Sequence, residues 1–292
     1  MKKMRIMSAA LAALLAFSLS ACGSTSTESE APASEESSAS SSTTAVVEAE
    51  GNNSNTDAPN GTFVVGFDQD FPPMGFVGDD GEFTGFDLEL AAEAASRMGL
   101  EVVYQPIAWD SKDAELDSGT IDCIWNGFTM NGREDAYEWS EAYLDNSQVF
   151  VVAENSGIES VADLAGKTVE VQADSSAEAA LNDEDNAELK ASLKAVQTTP
   201  DYNTALMDLD MGAVDAIAMD NTVADYKITT GKLSLITLDE PFASEKYAVG
   251  FKKGNTELRD KVNEVLNDMA ADGTMAEIST KWFGRDITIL GK

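Results

Sequence analysis

The chain has 292 residues, 43% of them hydrophobic, with a formal net charge of -33, which suits one large or two modest domains. Nucleic acid and adhesion of the folded part to an anionic membrane are disfavoured, because both need basic partners. Histidine is absent and cysteine occurs twice, so a structural zinc site is excluded, no cofactor or metal is expected, and enzyme chemistry would fall to carboxylates.

The first 22 residues, "MKKMRIMSAALAALLAFSLSAC", place Lys2, Lys3 and Arg5 before an apolar run from Ile6 to Leu19. The run is short for a membrane span and has signal-peptide proportions. Its end, Leu19 to Cys22, resembles the lipobox of bacterial lipoproteins, which makes residues 1–22 a lipoprotein signal peptide and Cys22 the lipidation site. Two acyl chains there would suffice for stable attachment. Residues 23–59 are rich in Ser, Thr, Ala and Glu, with no Lys or Arg, and read as a disordered tether.

"GTFVVGFD" (61–68) then reads as a buried strand, broken at Pro72-Pro73. "GFDLELAAEAASRMG" reads as a helix with Asp87 as N-cap, Leu88, Ala91, Ala92, Ala95 and Met98 on one face, and Gly99 as the stop. "LEVVYQPIA", "TIDCIWNGF", "KTVEVQ", "AVDAIAMD" and "YAVGFKKG" read as strands. "WDSKDAELDSG", Ser176 to about Leu193, "NTALMDLDMG" and "NTVADYKITTG" read as helices. Two more helices close the chain at Gly273 and Gly284, the first with Leu258, Val262, Val265, Leu266 and Met269 on its apolar face. This alternation predicts an α/β fold of parallel βαβ units. "GTIDCI" and "GAVDAI" share the pattern G-x-x-D-x-I after a strand and a helix, which suggests two similar lobes. Asp68, Asn126-Gly127 and Asp220 all fall at strand ends, where open α/β sheets place ligands. Cys123 falls in a buried strand and reads as an inert thiol.

The segments "GFDQDFPPMGF", "DDGEFTGFDLELA", "GTIDCIWNGFTMNGRED", "WSEAY", "VDAIAMD" and "DGTMAEISTKWFG", in this order, resemble extracellular solute-binding proteins, family 3, the binding proteins of polar amino-acid ABC importers. The resemblance spans about Gly61 to Gly284. It implies a two-lobed periplasmic-binding-protein-like (type II) clamshell with two crossover hinge segments. Lobe 1 would be 60–146 plus 247–292, lobe 2 153–238, and the hinges 147–152 and 239–246.

It also implies site roles. Arg133 looks like the arginine that grips the ligand α-carboxylate, for which a planar, permanently charged fork is suited; the competing reading is a surface ion pair with Glu134 or Asp135. The adjoining loop, Asn126, Gly127, Phe128 and Thr129, would supply further contacts. Asp220 looks like the α-ammonium acceptor, or a helix N-cap, or both. Ser175 and Ser176 would donate to the carboxylate, with Asp174 standing where the family commonly has glycine. Phe71 and Trp109 would wall the ligand side chain or pack in the core. Asp68 would meet a donor on that side chain, with Gln172 in reach of the same region, favouring glutamine, arginine, lysine or histidine, unless Asp68 is held by neighbouring amides. The spacing between Thr129 and Arg133 is one residue shorter than is common in the family.

The implied function is a monomeric, non-enzymatic receptor, lipid-anchored on the outer face of the cell membrane, that binds a polar amino acid and delivers it to an ABC permease and its ATPase. The alternatives are a ligand-sensing lipoprotein without a transport role and a dehydratase-like enzyme on the same fold.

Overall fold

The structure, a computed structural model, describes residues 61–292. The signal peptide, Cys22 and the tether expected at 1–59 lie outside them.

The chain starts with β1 (Thr62–Phe67) and a small antiparallel meander of β2 (Asp70–Phe71), β3 (Gly75–Val77) and β4 (Phe83–Thr84). Helix α1 (Phe86–Met98) buries Leu88, Ala91 and Ala95 and stops at Gly99 in the left-handed conformation. Asp87 is not the N-cap of this helix. Gly85 takes that place at φ 148, where a Cβ would meet the Met74 carbonyl oxygen at 2.1 Å, so glycine is required. Asp87 lies inside the first turn and is fully buried. There follow β5 (Glu101–Pro106), α2 (Lys112–Ser118), β6 (Cys123–Ile124) and β7 (Glu138–Trp139).

Strand β8 (Leu144–Ala153) leaves for the second lobe. That lobe contains β9 (Thr168–Gln172), α3 (Ser176–Asn182), α4 (Ala187–Ser192), β10 (Ala195–Thr199), α5 (Tyr202–Asp210), β11 (Ala216–Asp220), α6 (Asn221–Gly231) and β12 (Leu235–Thr237). Strand β13 (Ala243–Tyr247) returns, and β14 (Gly250–Phe251), α7 (Thr256–Asp272) and α8 (Thr274–Phe283) complete the first lobe. On α7, Val262, Val265, Leu266 and Met269 are buried, as the periodicity predicts.

The sheets are mixed, which corrects the parallel arrangement inferred from strand–helix alternation. Lobe 1 has the order β5-β1-β6-β14-β7, with β14 antiparallel to both neighbours. Lobe 2 has the order β10-β9-β11-β8-β12, with β8 antiparallel to β11 and β12. The antiparallel strands are those on either side of the crossings, since a chain that leaves and returns arrives in the opposite sense. The crossing itself is a two-stranded ribbon: Leu144 to Gln148 pairs with Ala243 to Tyr247. Val149 to Val152 already pairs with β11.

The repeated G-x-x-D-x-I has a physical counterpart. Asp122 Oδ2 accepts the Val64 amide at 2.7 Å in lobe 1, and Asp215 Oδ2 accepts the Thr168 amide at 2.8 Å in lobe 2. Each aspartate thus ties its own strand to the first strand of its lobe. Cys123 is wholly buried, and burial pushes its thiol well above the ordinary value, which leaves it unreactive.

Candidate ligand-binding site

Strand ends from both lobes meet over the crossover ribbon. Asp68, just past β1, is buried. Its amide donates to Asn126 Oδ1 at 2.9 Å, its Oδ1 accepts the Asp70 amide at 2.8 Å, and its Oδ2 accepts Gln172 Nε2 from lobe 2 at 2.7 Å. Burial pushes this carboxyl up, against the pull of the Asp70 and Gln172 donors. Asp68 is therefore engaged by amides from both lobes. Phe71 is buried, with its ring centroid 6.0 Å from that of Tyr202 across the lobes, so it serves as interlobe packing.

The loop after β6 is fixed from behind. Gly127 has φ 55, and a Cβ there would stand 2.9 Å from the Phe71 ring and 3.1 Å from the Tyr247 ring. Its amide donates to Asp87 Oδ2 at 2.5 Å, and Tyr143 donates its hydroxyl to the same carboxylate at 2.9 Å. Gly127→Ala is expected to cost about 1–2 kcal/mol from the backbone alone, with a further loss from displacing Phe71 or Tyr247. Thermal unfolding of the variant checks this: an unchanged melting temperature would mean that the loop is not held as described. Phe128 is core, within an aromatic cluster of Trp109, Tyr137 and Trp139 at centroid distances of 5.5, 5.0 and 4.7 Å. The Thr129 hydroxyl and Asn126 Nδ2 are buried without a hydrogen-bond partner.

Arg133 is half-buried. Its amide donates to Met130 O at 3.0 Å, closing a tight turn. Its guanidinium lies 5.4 Å from the Phe128 ring centroid and donates to two carbonyl oxygens, Thr129 O at 3.4 Å and Asp174 O at 3.0 Å. Among the described residues no carboxylate pairs with it, Glu134 and Asp135 included.

From lobe 2, Ser175 caps α3 by accepting the Glu178 amide at 3.1 Å, and Ser176 Oγ accepts Gln148 Nε2 at 3.0 Å. Asp174 has φ 58, the left-handed conformation that glycine takes freely, which explains why glycine is expected there. Its carbonyl receives both Arg133 and Trp109 Nε1, the latter at 3.2 Å, and its carboxylate pairs with the buried Lys112. Asp220 occupies the N-cap position of α6 but makes no capping bond. Its Oδ1 instead accepts Asn146 Nδ2, Gln148 Nε2 and the Tyr247 hydroxyl at 2.9, 2.7 and 2.6 Å.

The structure thus brings the expected residues to one place, with Phe128 in the core behind them. It also adds residues missed by sequence reasoning: Asp87, Lys112, Asn146, Gln148, Glu245 and Tyr247. A signal was present for four of them. Asn146 and Gln148, and Glu245 and Tyr247, are each two apart on extended segments, so each pair shares a strand face.

Two α/β lobes joined by a double crossover, with polar strand ends facing across the gap, define a clamshell receptor for small solutes. Residues 63–285 match bacterial extracellular solute-binding proteins, family 3, and the chain belongs to that family. The L-cystine-binding protein TcyJ of Escherichia coli (strain K12) is 35% identical over 231 residues, covering 78% of this chain and 85% of TcyJ. The L-cystine-binding protein TcyA of Bacillus subtilis (strain 168) is 32% identical, covering 78% of this chain and 83% of TcyA. An ABC uptake transporter substrate-binding protein from Streptococcus pneumoniae with bound histidine is 38% identical with a TM-score of 0.75, covering 79% of this chain and 95% of that one. Among the described residues no helix is long and apolar enough to cross a membrane.

Proposed function

We propose that this receptor is lipid-anchored through Cys22, binds a polar amino acid between its lobes and delivers it to an ABC permease. The observation that carries the reading is the charge left unpaired on these residues. Among the described residues the Arg133 guanidinium has no carboxylate partner, and the buried carboxylates Asp220 and Glu245 have no lysine or arginine paired to them. That is the complement of a zwitterion, with its α-carboxylate at Arg133 and its α-ammonium at the carboxylates. The cystine-binding and histidine-bound relatives support an amino-acid ligand. On this reading the hinge is the ribbon of Leu144 to Gln148 with Ala243 to Tyr247, which overlaps the expected segments only at 147–148 and 243–246.

A thermal-shift screen of the full chain, unfolded and refolded to remove carried-over ligand, tests it against the twenty protein amino acids and L-cystine. A ligand at a hundred times its Kd stabilises the native state by about 2.7 kcal/mol, or about 5–10 °C for a body of this size. A selective rise of that order is expected for one polar amino acid; a flat response across the set overturns the reading.

A further inference from the structure

Sequence reasoning puts one carboxylate, Asp220, at the ammonium end of the site. The folded chain puts two there. Glu245 stands directly opposite Asn146 in the ribbon register. Its Oε1 accepts Asn146 Nδ2 at 2.7 Å and Gln148 Nε2 at 2.8 Å, the same two amides that hold Asp220. The two acids are 6% and 2% exposed and share their donors. Charged together in such a place they repel at high cost unless a cation or a proton stands between them. Burial, then the adjacent Glu245, push the Asp220 carboxyl well above the ordinary carboxylate range. The other groups facing Asp220 do not supply a cation: Tyr247 donates from β13, and the Tyr202 hydroxyl on α5, like that of Tyr247, is pushed well above its usual value by burial.

A second observation points to a ligand. Glu245 lines a cleft of about 400 Å³ together with Thr129 and Ser176, with Asp183 and Asp185 also in its lining. The Thr129 hydroxyl and Gln148 Oε1 are both buried there or beside it without a hydrogen-bond partner. Thr129 is 3% exposed and Gln148 fully buried, so neither is satisfied by bulk water. An ammonium group, with three donors and a positive charge, meets both needs at once.

We propose that Glu245 is a second anchor for the ligand's ammonium group, beside Asp220, and that the ammonium enters in exchange for a proton. This rests on the amino-acid reading above. The balance is simple: the free pair holds one proton between its two carboxyl groups, the ligand brings R–NH3+, the pair gives up its proton as the ammonium enters, and H+ leaves to the buffer. Binding therefore strengthens as pH rises, by up to about tenfold per pH unit while one proton is released, and levels off once the free pair no longer holds a proton.

Isothermal titration of the full chain with the twenty protein amino acids and L-cystine, in buffers of different ionisation enthalpy at pH 6, counts the protons. The wild type is expected to release close to one proton per ligand bound. Glu245→Gln, which keeps an acceptor for Asn146 and Gln148, is expected to lose that release and to bind at least tenfold more weakly. Binding without proton release by the wild type, or an unchanged release in Glu245→Gln, overturns the role of the pair and leaves the receptor reading intact. No binding by any of these amino acids overturns both. The wild-type count needs no variant, so it stands even if Glu245→Gln folds poorly.

Discussion

Arg133→Ala is expected to weaken amino-acid binding by about two to three orders of magnitude while leaving the unfolding transition almost unchanged. The two halves of that result have different causes. In the proposed site the guanidinium is the partner of the ligand carboxylate, and removing one member of a buried charge pair typically costs about 2–5 kcal/mol because the other member is left unpaired. Folding depends on Arg133 much less. Its side chain makes no ion pair among the described residues and donates only to the carbonyl oxygens of Thr129 and Asp174. Arg133→Lys keeps the charge but not the fork, and should fall between wild type and alanine. Titration calorimetry against the ligand from the thermal-shift screen gives the comparison. An alanine variant with wild-type affinity would remove Arg133 from the site.

Asp87→Asn should change how stability depends on pH. Burial pushes the Asp87 carboxyl from an ordinary 3.8 up to about 7, over the opposing pull of the Gly127 amide and the Tyr143 hydroxyl. The folded state therefore holds a proton that the unfolded chain has released between about pH 4 and 7. Stability from this source is full below about pH 4 and is lost as pH rises through 7. A shift of about three units corresponds to about 4 kcal/mol. Asparagine is never ionised and can still accept the Gly127 amide. Relative to wild type, the variant should gain about that amount between pH 4 and 8. Urea unfolding at several pH values measures the difference, and the paired comparison removes the contributions of Asp68, Asp122 and Asp220, whose carboxyls burial also raises. A difference between the two proteins that stays constant with pH would show that Asp87 does not titrate in this range.

Much of this architecture is legible in the residues. Apolar periodicity gives α1 and α7, and the buried runs at Thr62–Phe67, Thr168–Gln172 and Ala216–Asp220 are strands as expected. Strand ends lead to Asp68, Asn126 and Asp220. The ribbon was harder to see, because Asp145, Asn146, Ser147 and Gln148 are consecutive polar residues and do not read as a buried strand. Their partners are remote: Gln148 and Glu245 are 97 positions apart. Nothing local in either segment announces such a pairing. Asp87 misled for a different reason. An aspartate before an apolar run ordinarily caps a helix, but Gly85 made the turn, and the carboxylate was left to hold a loop 40 residues away.

The Lys112–Asp174 pair has a consequence for populations. It joins the two lobes directly, as do the contacts from Gln172 to Asp68 and from Asn203 to Asp70. In a clamshell, a bond between the lobes that belongs to the chain itself favours the shut shape independently of any ligand. A ligand shifts the balance between shapes only by its difference in affinity for them, and turning 1:99 into 99:1 takes about 10⁴-fold. The more closure the chain achieves by itself, the smaller the change that occupancy adds. A partner that recognises the shut shape would then count some vacant molecules as full, and contrast between the two, rather than tightness of binding, would set how faithfully this chain reports what it carries.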